Sequence, residues 1–175
     1  MRGSRTEPGR HASGDQPRVV VGVSESPAST AALAWAHDLC RRRGWRLDVV
    51  TAWPDAGEVF LHEVPGHYCV PRGHAVAALK AALAACEVEI DGPTVHVFVD
   101  NADPVEALIE RSHGAALLVV GTSGPGRSHR AGCPPISNSC RERASCPVIV
   151  VDGAGVPVPA AGQDAYPLSA AGRGR

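Results

Sequence analysis

Gly121-Thr122-Ser123-Gly124-Pro125-Gly126 follows a run of strand-type apolar residues and leads into a segment rich in arginine and serine. Glycines let backbone N–H groups come close to a ligand, and successive N–H groups form an anion-binding concavity, so the chemistry this loop suits is phosphate binding. Arg127, His129 and Arg130 offer cations to the same group, and Ser137 and Ser139 offer hydroxyls near the start of the next helix. Three glycines after a strand also make an ordinary tight turn, and a solvated basic loop is the competing reading of the arginines. The loop is not a Walker motif, since no Gly-Lys-[Ser/Thr] follows, and its spacing departs from the GxGxxG of dinucleotide sites. Beyond it stand Pro134 and Pro135, which have no N–H. Two donors that would face phosphate are therefore missing. Hydrogen bonds to charged groups contribute ~1.5 to 3 kcal/mol each, so losing both weakens binding by about two orders of magnitude or more. The same prolines also stiffen a helix start, and both readings can hold together.

No catalytic nucleophile stands out. Ser123 and Ser128 lie in the glycine-rich loop, but GTSGPG is not a GxSxG elbow and no acid–base pair accompanies either serine by spacing. Efficient catalysis is not expected. The six cysteines, Cys40, Cys69, Cys86, Cys133, Cys140 and Cys146, form no CxxC pair and are read as free thiols of a reducing cytoplasm. Cys133 and Cys140 have basic neighbours that would lower a thiol pKa, which makes a redox switch one reading and small-residue packing against a sheet the other. His62, His67, Cys69 and His74 cluster in sequence, but their spacing matches no structural zinc pattern, and no metal site is assigned.

The elements that must position the loop follow from periodicity. Residues 18–23 (RVVVGV) are a buried first strand bounded by turn residues. Ser26 caps a helix with Pro27 at its first position; Ala28, Ala31, Trp35, Ala36, Leu39 and Cys40 share one face, and Gly44 stops it. A second strand spans 47–53, an irregular connection 54–73, and a helix about 74–87. A third strand covers 94–99. Asp103-Pro104-Val105-Glu106 then reads as a capping box opening a helix to about His113. Strands at 115–120 and 148–151 complete the core, with a short helix between them. Strand and helix alternate throughout, which predicts an α/β domain: one open parallel sheet of five strands with helices on both faces. Ligands of such sheets bind at the carboxyl ends of the strands, where strand order reverses.

A chain of 175 residues suits one core. The first 17 residues and residues 153–175 are rich in Gly, Pro, Ala and polar groups without apolar periodicity and are expected to be disordered tails around a domain at 18–152. The net charge of −1 supplies no field for nucleic acid or an anionic membrane. Lys80 is the only lysine, so the arginine excess, Arg41-Arg42-Arg43 included, reflects composition more than recognition, and the triplet suits a helix C-terminus. No run approaches the ~18 apolar residues of a membrane span, and no signal-like hydrophobic stretch opens the chain, so a cytoplasmic location is expected.

Taken in order, VVVGVSESPASTAALAWA, the TAW ending the second strand, DPVEALIE, VVGTSGPG and SCPVIVV resemble the universal stress protein family over about residues 18–152. The resemblance implies an adenine nucleotide alpha hydrolase-like sheet in order 3-2-1-4-5, frequent homodimers through the last strand (here Val148 to Val151), and in one branch ATP with Mg at the strand ends. That branch carries G-x-x-G, nine residues, then G-[ST]. Gly121 and Gly124 match its first half, and the count lands on Pro134 and Pro135 instead of its second, with Cys146-Pro147 anchoring the register. The implied nucleotide site comprises Gly22, Val23, Ser24, Ala52, Val120, Gly121, Ser123, Gly124, Arg127, Arg130, Ile136 and Ser137. Ser24 stands where the family commonly has aspartate and brings no charge; Glu25 beside it is the alternative carboxylate, although neighbouring side chains diverge. Ala52 leaves room for an adenine. The reading that results is a regulatory or binding module of the stress response, acting on a regulatory protein partner, with weak or no ATP binding. A nucleotide sensor with slow ATPase activity and a thiol-based sensor are the alternatives.

Overall fold

In the computed structural model, which describes residues 16–53, 70–90, 94–122 and 134–159, the apolar runs of the sequence lie side by side in one sheet. Its strands are β1 (Arg18–Gly22), β2 (Arg46–Ala52), β3 (Val95–Asp100), β4 (Leu117–Gly121), β5 (Val148–Val151) and β6 (Pro157–Val158), and the helices are α1 (Pro27–Arg43), α2 (Val70–Ala85), α3 (Pro104–Ser112) and α4 (Ile136–Arg143). The order is β3-β2-β1-β4-β5-β6, parallel except for the last pair. Register places Val21 beside Val49 and Val119, so Gly22, Ala52 and Gly121 all stand at carboxyl ends.

Alternation along the strands divides the core into two layers. Val19, Val21, Leu47, Val49, Leu117, Val119, Ile149 and Val151 meet α1 and α2 on one face. Val20, Val50, Leu118, Val120, Val148 and Val150 meet Leu108 of α3 and Cys140 of α4 on the other.

The helix signals act as their chemistry requires. Ser26 accepts from the Ser29 N–H, Pro27 occupies the first turn, and Gly44 closes α1 in the left-handed region at φ 65°. The buried face of α1 is rotated from the expected one: Ala32 and Leu33 are fully buried, whereas Ala31 and Trp35 are only half-buried, because the helix lies across β2, β1, β4 and β5 at once. Asp103 caps α3 through the Val105 and Glu106 N–H groups. Glu106 pairs with Arg143 of α4 at 2.8 Å, tying the two helices together.

A buried carboxylate marks the amino end of the sheet, away from the ligand end. Asp48 is 1% exposed and held by Arg18 at 2.9 Å and Arg46 at 3.0 Å, with His96 Nδ1 at 3.8 Å. Arg18 and Arg46 are register partners at the first positions of β1 and β2, so two adjacent strands aim their guanidinium groups at one acid.

Two expectations are corrected. Among the described residues the sheet has six strands, since Val150 pairs with Val158 and Val151 with Pro157 in an antiparallel arrangement. Val148 to Val151 is therefore not the bare edge expected, and the stretch assigned to the C-terminal tail begins with an ordered turn: Asp152 Oδ1 accepts from the N–H groups of Ala154 and Val156, both at 2.9 Å.

Candidate functional site

The carboxyl ends of β1 and β4 lie next to each other where strand order reverses, the position at which sheets of this kind bind ligands. Gly22 ends β1 against α3: a β-carbon there would stand 3.1 Å from both methyl carbons of Leu108. Val23 is buried, its N–H donating to the Val50 carbonyl at 2.8 Å and its own carbonyl accepting from the buried Thr51 hydroxyl at 3.0 Å.

From there the chain turns through a knot of serine hydroxyls. The Ser29 hydroxyl is buried and lies 2.8 Å from both the Ser24 and Ser26 carbonyl oxygens; it also accepts from the Ser24 N–H at 3.0 Å. Ser24 is exposed, with its Oγ 3.2 Å from Ser26 Oγ and 3.3 Å from Ser29 Oγ. Ser24 is thus engaged with its own loop.

Gly121 closes the crevice floor. A β-carbon built on it would lie 2.6 Å from the Ala28 carbonyl carbon and from the Ser29 amide nitrogen, distances that real β-carbons do not reach. The first glycine of the loop is therefore demanded by the approach of the α1 backbone, in addition to any ligand. Val120 is buried behind it, and the Thr122 N–H donates to the Val151 carbonyl at 2.8 Å. Ala52, half-buried, ends β2, and the next N–H, that of Trp53, donates to Asp100 at the end of β3.

Pro135 stands at the N-cap of α4 with φ −53° and ψ 141° and supplies no side-chain cap. Its carbonyl accepts from Asn138 and Ser139, so the helix starts at Ile136. The prolines thus precede the helix without interrupting it, and the backbone donors of this terminus begin one residue after them. Ile136 is exposed and Ser137 is buried.

Of the expected site residues, Gly22, Val23, Ser24, Ala52, Val120 and Gly121 gather at the strand ends, and Ile136 and Ser137 open α4. Ser123, Gly124, Arg127 and Arg130 lie outside the described residues, as do His62, His67, Cys69 and Cys133; His74 is exposed on α2. Ser29 and Thr51 were not singled out by sequence. A hydroxyl three residues after the N-cap serine is the signal that points to Ser29, and Thr51 is the one polar residue in the run VVTA.

The thiol expectation is corrected for Cys140. Its side chain is fully buried, and burial pushes the thiol up to about 11, with Arg143 opposing too weakly to reverse the shift. Burial likewise pushes Cys40 up to about 12, helped by the Asp48 charge, and raises Cys86 and Cys146. Among the described residues no three His, Cys, Asp or Glu side chains are grouped to hold a metal ion, and no helix is long and apolar enough to cross a membrane.

A parallel sheet with helices on both faces, reversing order between β1 and β4 with glycines at both strand ends, defines a doubly wound α/β domain with a crevice at its carboxyl edge. The model of the universal stress protein family matches residues 17–152. This chain belongs to that family. A universal stress protein of Mycobacterium tuberculosis is 35% identical over 134 residues, covering 75% of this chain and 44% of that protein, so the chain spans less than half the length of such relatives. Among solved structures, a universal stress protein in complex with cAMP aligns with TM-score 0.55 at 23% identity, covering 79% of this chain and 98% of the other. One from Archaeoglobus fulgidus in complex with dAMP aligns with TM-score 0.51 at 21% identity, covering 78% and 98%. These likenesses establish the fold.

Proposed function

We propose that this chain is a cytoplasmic binding or regulatory module of the bacterial stress response, acting through a protein partner, whose crevice lacks the anchorage for a triphosphate. The observation that carries the reading is Pro135 at the N-cap of α4, preceded by Pro134: neither has an N–H to present to phosphate, and Pro135 brings no side-chain acceptor or hydroxyl in compensation. The Ser24 hydroxyl, turned into the Ser24–Ser26–Ser29 knot, adds no charge to hold magnesium or ribose. Differential scanning calorimetry with and without Mg-ATP tests it. No shift in melting temperature at millimolar nucleotide supports the reading; a shift of several degrees overturns it, since a ligand that binds the folded state stabilises it by mass action.

A second reading, a nucleotide sensor with slow ATPase activity, draws support from the cAMP and dAMP complexes of proteins sharing this fold. Ala52, at the carboxyl end of β2, leaves space for a base without relying on the α4 terminus. In that reading the base and sugar dominate, and AMP binds no more weakly than ATP.

A further inference from the structure

Arg46 and Arg111 each use one edge of the guanidinium, Nε with Nη2, to hold a carboxylate. On Arg46 that edge meets both oxygens of Asp48, at 3.0 and 3.2 Å, and on Arg111 both oxygens of Asp100, at 2.9 and 2.7 Å. The two N–H bonds of this edge are parallel, so a carboxylate fills both at once. On Arg141 of α4 the same edge is half-filled: Nη2 donates to the Val158 carbonyl at 3.0 Å, and the buried Nε has no hydrogen-bond partner. One carbonyl oxygen serves one donor, and a buried N–H left unpaired has lost its water without replacement. Among the described residues no acidic side chain pairs with Arg141, whereas Arg143, on the same helix, is taken by Glu106.

We propose that Arg141 is the receptor for a carboxylate, and that this carboxylate belongs to an acidic residue of a partner protein, flanked there by apolar side chains. Bound side-on, it takes Nε and Nη2 together and replaces the Val158 carbonyl. That carbonyl is lightly held, since β6 is two residues long, both are exposed, and Pro157 has no N–H to add to the ladder. The surroundings indicate the source. Val158 is 37% exposed and Val156 56%, so the acceptor position is bordered by apolar surface. An arginine set among apolar side chains is the composition of a protein–protein contact, and it offers little to a free, fully hydrated acid. The inference rests on the reading that the chain acts through a protein partner, and it takes nothing from the nucleotide crevice.

Proton–nitrogen NMR of the arginine Nε–H groups of the full chain, without nucleotide, tests it. The probes are the end-blocked peptide Ala-Val-Glu-Val-Ala, its twin with Gln in place of Glu, and sodium acetate. The Arg141 signal is the one lost in Arg141→Lys, which keeps the charge and removes the fork. The Glu peptide is expected to move that signal downfield and saturably, towards those of Arg46 and Arg111. It should bind the unaltered chain at least about tenfold more tightly than the Gln peptide does, and at least about tenfold more tightly than it binds Arg141→Lys. Acetate should give the same shift about tenfold more weakly than the Glu peptide. Should Arg141→Lys fail to fold, the Glu and Gln peptides on the unaltered chain decide. An unmoved Arg141 signal, equal affinity for the two peptides, undiminished binding to folded Arg141→Lys, or acetate binding as tightly as the Glu peptide overturns the proposal. ATP binding by the same preparation would contradict the proposed function and leave this result unaffected.

Discussion

Gly121 lies directly against the Ser29 amide: a β-carbon at Gly121 would stand 2.6 Å from that nitrogen, so β4 and the first turn of α1 meet backbone to backbone. Gly121→Ala is therefore expected to destabilise the fold by about 1 to 3 kcal/mol or more, since the obstructing atoms are main chain and cannot swing aside. Urea denaturation measures it, and an unchanged midpoint would show that α1 does not pack as described. It follows that loss of ligand binding in a Gly121 variant says little about phosphate contacts, whereas Gly124→Asp addresses the loop itself.

Ser29→Ala removes the buried hydroxyl shared by the Ser24 and Ser26 carbonyls and the Ser24 N–H. The expected loss is about 1 to 3 kcal/mol, because the backbone groups it leaves are partly withdrawn from water. Hydrogen exchange of the Ser24 amide should quicken in the same variant.

Asp48→Ala leaves Arg18 and Arg46 facing each other without their acid. Breaking a buried pair costs ~3 to 5 kcal/mol; the lower end is expected here because the two arginine side chains keep 23% and 27% of their surface exposed. The cluster sits at the amino ends of the strands, so any nucleotide affinity should survive in the folded fraction. Thermal unfolding and calorimetric titration of the same preparation separate the two effects.

Thiols held neutral by burial make stability fall at alkaline pH. Cys40 and Cys140 are pushed up to about 12 and about 11, above the unfolded value of 9.0, so above pH 9 the unfolded chain loses protons that the folded chain keeps. Their contribution is fully present below that value and is lost as pH rises through the folded pKa values. The urea midpoint should be flat with respect to these groups from pH 7 to 8 and decline from pH 9 to 10, with a shallower decline in Cys140→Ala. Maleimide should spare Cys140 of the folded protein at neutral pH, and rapid labelling would restore it as a redox candidate.

Much of the fold was legible because its signals are local. Ser26-Pro27 and Asp103-Pro104 start helices, Gly44 ends one, and Val148 to Val151 occupies the span its apolar run predicts. The rotation of α1 was not legible, because four strands fix it and periodicity alone does not say which small residues face them. Strand β6 was hidden for a different reason: Pro157-Val158 lies in a Pro- and Gly-rich stretch, and only the edge of β5 makes it a strand. In the candidate site the glycines and the two prolines were readable as letters. The burial of Ser29 and the backbone contact at Gly121 arise from packing between distant segments, and the elevated Cys140 pKa reverses an inference that used charged neighbours without burial.

Isothermal titration of Mg-ATP into the unaltered chain and into a Pro134→Gly, Pro135→Ser double variant tests most directly whether the missing N–H groups decide the ligand. The unaltered chain should show no saturable heat tighter than about 100 µM, and the variant should gain about two orders of magnitude, as two restored hydrogen bonds to a charged group allow. Micromolar or tighter ATP binding by the unaltered chain would contradict the account.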